Sequence, residues 1–156
     1  MDGTHAPRRS DALRSPLRWL LAAFMLLAGV AHLVSSDSFM GQLPSWLPLR
    51  TPIVLVSGVI EIGFAFGLLL TSGARRRQAG WALAVFFVLV FPGNLYQAIA
   101  GTDAFGLDTP VKRWGRLIIQ PLLIVLALWS TGPDTLKTGP RPRPRVVRGP
   151  YEPGAR

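Results

Sequence analysis

Seven side chains in this sequence carry chemistry where hydrocarbon is expected: His32, Ser57, Glu61, Asn94, Tyr96, Arg116 and Gln120. Each falls inside or at the edge of a long apolar stretch. An ionisable group in such a stretch costs roughly 3 kcal/mol on insertion scales, so its presence points to a role. Glu61 is the clearest case. It follows Pro52 by nine residues, about 14 Å along a helix and near the middle of an apolar layer about 30 Å thick. Its side chain is too short to reach water. It must be protonated, hydrated or paired. His32 and Arg116 are the basic groups at similar depth, and a Glu61–Arg116 contact, direct or through water, is expected. Ser57 lies one turn from Glu61 on the same face. Plainer roles stand beside these. His32 can be an interfacial histidine, and Arg116 can snorkel to the surface. Asn94 and Gln120 can join helices by hydrogen bonds, which contribute about 0.6 kcal/mol per pair.

No nucleophile stands beside a base and an orienting group, so these residues favour binding or proton exchange over covalent catalysis. The chain has no cysteine. That excludes disulfides, thiol catalysis, cysteine-ligated zinc, iron–sulfur clusters and covalently attached haem. One embedded histidine does not make a two-histidine haem site. No flavin fingerprint and no metal-ligand set is present.

The elements that must position these groups are apolar and long. Of 156 residues, 49% are hydrophobic and 16% charged, against about 25% charged in soluble domains. The charges crowd into the two ends and three short connectors. Four stretches between them, 17–34, 52–71, 79–100 and 114–131, approach the roughly 20 residues that a membrane span needs. The first is marginal, and the apolar body of the fourth is short, 117–131. The expected fold class is all-α: a polytopic membrane protein, a four-helix transmembrane bundle over 17–131. Such stretches leave no polar face for a soluble core. The first is read as a span rather than a cleaved signal. No small-residue cleavage site is clear after Val34, and its loss would leave an odd number of helices. Pro92 is expected to kink the third span. Gly63 and Gly67, roughly opposite Glu61, are expected to pack closely on a neighbour.

Basic residues set the expected orientation. Arg8, Arg9, Arg14 and Arg18, then Arg75, Arg76 and Arg77, then Lys137, Arg141, Arg143, Arg145, Arg148 and Arg156 place 13 of the 17 on one side. That side is cytoplasmic by the positive-inside rule, so both termini are cytoplasmic and the cell membrane is the expected site. Residues 1–16 form a cytoplasmic segment. The Gly-, Pro- and Arg-rich tail, 132–156, cannot pack a core and is expected to be disordered. Its expected partner is anionic lipid, not nucleic acid. In the outward connector 38–49, Phe39, Met40, Leu43, Trp46 and Leu47 sit among prolines. They are read as an interfacial anchor rather than a lid. Trp19, Trp81, Trp114 and Trp129 fall near span ends, as aromatic belts do.

The halves form a weak internal repeat, with His32 and Glu61 in the first and Asn94 and Gln120 in the second. The order and spacing of AGVAHLV, SFMGQLPSWLP, SGVIEIGFAFGLLL, RRR, VFPGNLYQA and RLIIQPLLIVLALW resemble the DoxX family of small membrane proteins over about 17–131. VFPGN stands where members commonly have an alanine before the asparagine, and the tail falls outside the resemblance. The resemblance implies four membrane helices. It also implies membrane subunits of quinone-linked sulfur oxidation or proteins of redox homeostasis, though many members have no assigned activity.

The leading expectation is an accessory or binding membrane protein, not an enzyme by itself. Its outward polar cluster would hold a small molecule, a lipid headgroup or a partner helix. The alternative is a membrane subunit of a quinone-linked oxidoreductase, with quinone as the cofactor and the redox centre on a partner subunit. A small transporter built as a homo-oligomer, with Glu61 as its coupling group, is the second alternative.

Overall fold

Proline and glycine decide where the helices start and stop. The computed structural model describes residues 9–132, and among these it holds five helices and no strand. α1 is Arg9–Val34, α2 Arg50–Leu70, α3 Gly73–Ala100 and α4 Pro110–Ser130, with a short 3-10 helix, Ser36–Gln42, after α1. The all-helical expectation therefore holds over these residues. The expected disordered tail, beyond Gly132, lies outside them. Pro110 occupies the first turn of α4, where no N–H is needed, and the Thr109 hydroxyl accepts the Lys112 N–H at 3.4 Å. α3 stops at Gly101, left-handed with φ 69°, whose N–H returns to the Gln97 carbonyl. Pro92 lies within α3 without ending it.

α1 packs most extensively on α2 and α3 on α4, and the α1–α4 and α2–α3 contacts close the ring. The apolar core is formed by Leu21, Ala22 and Met25, by Ala65 and Leu68, by Leu83, Phe86 and Phe87, and by Ala127. These run from the middle of the helices to the end away from the two longer connectors. Polar side chains collect toward the other end.

The outside is as apolar as the inside. Leu20, Leu27, Val59, Leu70, Leu89, Ile118 and Leu122 are all exposed. α1, α2 and α3 are each long and apolar enough to cross a membrane, and no more than a third of each span is buried. In water this would be a very large exposed apolar surface. α4 is not among the three. Arg113, Arg116 and Gln120 occupy its first half and leave a short apolar run.

The tight helix crossing is at Gly29 and Gly58. A Cβ on Gly29 would lie 2.6 Å from the Gly58 carbonyl oxygen, and one on Gly58 would lie 2.8 Å from both the Gly29 oxygen and the His32 Cβ. The expected Gly63–Gly67 packing face is not used this way. A Cβ on Gly63 meets nothing within 4 Å, and one on Gly67 makes only an ordinary 3.4 Å contact with Ala79. α1 crosses α2 one face round from that pair.

Candidate functional site

Each hairpin contributes one buried polar pair near the end that carries the longer connectors. In α1–α2, Nδ1 of His32 lies 2.9 Å from Glu61 Oε2 and 2.9 Å from the Ala28 carbonyl oxygen. Both neighbours are acceptors, so Nδ1 carries the proton. The hydrogen bond goes to Ala28. Glu61 Oε2 sits beside the ring with no aligned hydrogen bond of its own. Both residues are buried. The Gly58 contact with the His32 Cβ holds α1 and α2 close enough for this pairing.

In α3–α4, Asn94 Nδ2 donates to Gln120 Oε1. Gln120 Nε2 donates to the Phe87 carbonyl oxygen at 2.6 Å. Phe87 lies just before the turn that Pro92 opens by removing a helix donor. Arg116, one turn before Gln120, donates to Gln42 Oε1 at 3.5 Å, a long bond. Of the expected Glu61–Arg116 contact, direct or through water, the direct pair does not form. Glu61 meets His32 instead, because the Gly29–Gly58 crossing brings those two together first.

These groups surround two cavities. The larger, about 460 Å³, has apolar walls from Phe24, Phe86, Phe87, Ile119 and Leu123, with His32, Glu61, Asn94, Lys112, Arg116 and Gln120 as its polar groups. The smaller, about 160 Å³, lies on the α2–α3 side against Gln42, Ile53, Ser57, Leu89 and Gly93. His32, Glu61, Asn94 and Arg116 border both. Ser57 faces the smaller one, and its hydroxyl donates to the Val54 carbonyl at 2.8 Å. Tyr96 borders neither cavity and stands apart from the cluster.

The roof comes from the connectors. Phe39 does not lie out at the surface as an anchor would. It is buried, stacks on the His32 ring with centroids 3.9 Å apart, and stacks on Phe105 at 4.7 Å. Trp46, 78% exposed, is the residue that keeps the anchor geometry. Phe105 has φ 47°, an uncommon angle for a non-glycine. Its N–H donates to the Ser38 carbonyl at 2.8 Å. The Thr102 hydroxyl donates to the Gly41 carbonyl, and a Cβ on Gly41 would lie 2.5 Å from the Asp103 oxygen. Arg50 ties the first connector down by donating to the Met40 and Leu43 carbonyls. Arg113 holds Asp103 at 2.9 Å. At the rim, Lys112 bonds Asp108 at 2.6 Å, which holds that exposed carboxyl below its ordinary range. Phe39, Phe105 and Gln42 were not legible as site residues, because a loop has no period that assigns its side chains to a face.

Among the described residues no three histidines, aspartates or glutamates gather to hold a metal ion. A family model, Domain of unknown function (DUF8561), matches residues 21–131. That stretch contains all the polar groups around both cavities and both connectors. No curated protein and no solved structure matches the chain.

Proposed function

We propose that this chain, which belongs to the family of the domain of unknown function DUF8561, is a DoxX-like membrane protein that holds a small amphipathic molecule in its larger cavity. In this reading all four long helices cross the cell membrane. Both termini are cytoplasmic, and the cavity lies in the outward half. The basic asymmetry between the two ends supports that orientation. The charges in the first half of α4 are compatible with a fourth span because they turn inward. Arg113 reaches Asp103 and the Leu107 carbonyl, and Arg116 reaches Gln42.

The cavity carries this reading. Its volume of about 460 Å³ falls within the roughly 300–1,000 Å³ of small-molecule sites, and its apolar walls with a few convergent polar groups are what such sites use. The cluster offers hydrogen bonds and one proton-exchanging pair but no nucleophile, so binding rather than conversion is proposed. An accessory role within a larger membrane assembly follows naturally. The stack of Phe39 on His32, itself paired with Glu61, favours a second reading, a quinone-binding subunit. A quinone ring uses a flat apolar slot with one or two hydrogen-bonding groups, and Glu61 would exchange its proton.

Gly115 supplies the test. It borders the cavity, and a Cβ there meets nothing within 4 Å. Gly115→Phe therefore starts its side chain into open space beside the cavity. Full-length protein purified in mild detergent, followed by mass spectrometry of bound small molecules and subunits, is expected to show a molecule retained by the wild type. Gly115→Phe should lose it at an unchanged melting temperature. Equal retention by both, or none by the wild type, would overturn the reading.

A further inference from the structure

Four cations stand at the connector end of the helices, and three of them meet a carboxylate or two backbone carbonyls. Lys112 pairs with Asp108 and Arg113 with Asp103. Arg50 donates to two carbonyls. Arg116 has only the neutral Gln42 amide at 3.5 Å, and among the described residues no carboxylate lies within ion-pair distance of it. Glu61 borders the same cavities but makes no ion pair with it and lies against His32 at 2.9 Å. A half-buried guanidinium with most of its five donors unused is costly in an apolar layer. Its unused donors leave room for an acceptor from outside the chain.

The shape of the larger cavity says what carries that acceptor. On α4 it runs from Lys112 past Arg116 to Leu123, three helical turns or about 16 Å. One end is cationic. The other is closed by Phe24, Phe86 and Leu123. Phe24 and Ile119, 47% and 54% exposed, flank the α1–α4 side, so the slot meets the apolar exterior rather than only the connectors.

We propose that this slot takes a monocarboxylate amphipath from the lipid phase, with its carboxylate on Arg116 and its hydrocarbon body running down to Leu123. This rests on the reading of the cavity as a small-molecule site and names its ligand class. A planar carboxylate matches the guanidinium fork with two parallel hydrogen bonds. A single negative charge pairs with a guanidinium that has no carboxylate within ion-pair distance among the described residues. A dianionic phosphate would leave a surplus charge beside Glu61, and a neutral quinone would leave Arg116 unmatched.

The experiment uses the full chain in discs of zwitterionic phosphatidylcholine, with radiolabelled oleate and oleyl alcohol of the same chain length as probes. The wild type is expected to bind oleate at least about ten-fold more tightly than the alcohol, as a charge-assisted hydrogen bond implies. Arg116→Gln should remove that preference, and Arg116→Lys should keep part of it. Gly115→Phe should weaken both probes. Inorganic phosphate in excess, and phosphatidylglycerol added to the discs, should leave oleate binding unchanged. Displacement by either would give the site to phosphate groups and overturn the carboxylate assignment. Equal affinity for oleate and alcohol in the wild type would overturn it too, whether or not Arg116→Gln folds. If Gly115→Phe weakens both probes while Arg116→Gln changes neither, the cavity reading stands and the anion inference falls. If neither probe binds the wild type, both fall.

Discussion

The Nδ1 proton of His32 has two claimants at 2.9 Å, the Ala28 carbonyl and the Glu61 carboxylate. The carbonyl takes the hydrogen bond, and the carboxylate lies against the ring without one. Removing one member of a buried pair leaves the other uncompensated, which typically costs about 3–5 kcal/mol. Glu61→Gln and His32→Gln should each lower stability by about 3 kcal/mol, the lower end because both groups border cavities. The double variant should cost less than the sum. Thermal unfolding of full-length protein in detergent measures this. Additive losses would show that the two side chains do not interact. The Glu61–Arg116 cycle should show a smaller coupling, since the two border the same cavities without a direct pair. Asn94→Leu leaves Gln120 to find another partner and should cost about 0.6–1.7 kcal/mol, the range for hydrogen bonds between membrane helices. The polar groups of this site were legible in the sequence because each interrupts an apolar run. Their pairing was not. Whether Glu61 meets His32 or Arg116 depends on how α1 crosses α2, and the sequence offered a competing small-residue pair at Gly63 and Gly67. Tyr96 shows the same limit from the other side. Its spacing from Asn94 places it near the cluster, but the turn of α3 carries it off the cavity.

Helix boundaries were the most readable part of the chain. The first stretch ends at Val34 and the third at Ala100, as the apolar runs do, and α2 and α4 end within a residue of theirs. Their starts run earlier, to Arg9, Arg50, Gly73 and Pro110, because polar residues continue a helix once its apolar body has nucleated it. The short 3-10 helix and its buried Phe39 escaped, since connector residues follow no helical period. Packing between the elements rests on a few missing side chains. Gly29→Leu and Gly58→Leu each drive atoms into backbone carbonyls that cannot move aside, and should destabilise by at least about 1–3 kcal/mol. Gly63→Ala meets open space and should be neutral or stabilise by up to about 1 kcal/mol through helix propensity. Melting temperatures of the three variants in one detergent decide it. A Gly63→Ala protein weaker than Gly58→Leu would place the tight crossing at the wrong pair. Gly41→Leu should separate the two connectors by striking the Asp103 carbonyl, and should loosen the roof while the apolar core at the far end stays folded.

At the scale of the whole molecule two features demand a bilayer together. Exposed apolar side chains run along all four helices, and the charges other than Glu61 and Arg116 keep to the ends. Neither requires a particular orientation. Orientation comes from which end holds more Lys and Arg, and in the four-span reading proposed above the ends differ by 13 to 4. The four on the smaller side are also the ones engaged in the site and its roof, through the Met40, Leu43 and Leu107 carbonyls, Asp103, Asp108 and Gln42. They are placed for packing rather than for retention in the cytoplasm, which sharpens the bias. The native chain has no cysteine, so single introduced thiols report without background. Ser45 and Asp108 are exposed in the two longer connectors, and Ser72 is exposed in the short one between α2 and α3. Ser45→Cys and Asp108→Cys should react with an impermeant thiol reagent in intact cells. Ser72→Cys and Thr138→Cys should react only after the membrane is opened. Asp108→Cys with Ser72→Cys also tests the fourth span, because α4 must carry the chain back across for Thr138 to share a side with Ser72. Labelling of Thr138→Cys in intact cells, with Ser72→Cys protected, would leave α4 on the surface and the number of spans at three. The reverse pattern at all four positions would keep four spans and turn the cavity toward the cytoplasm.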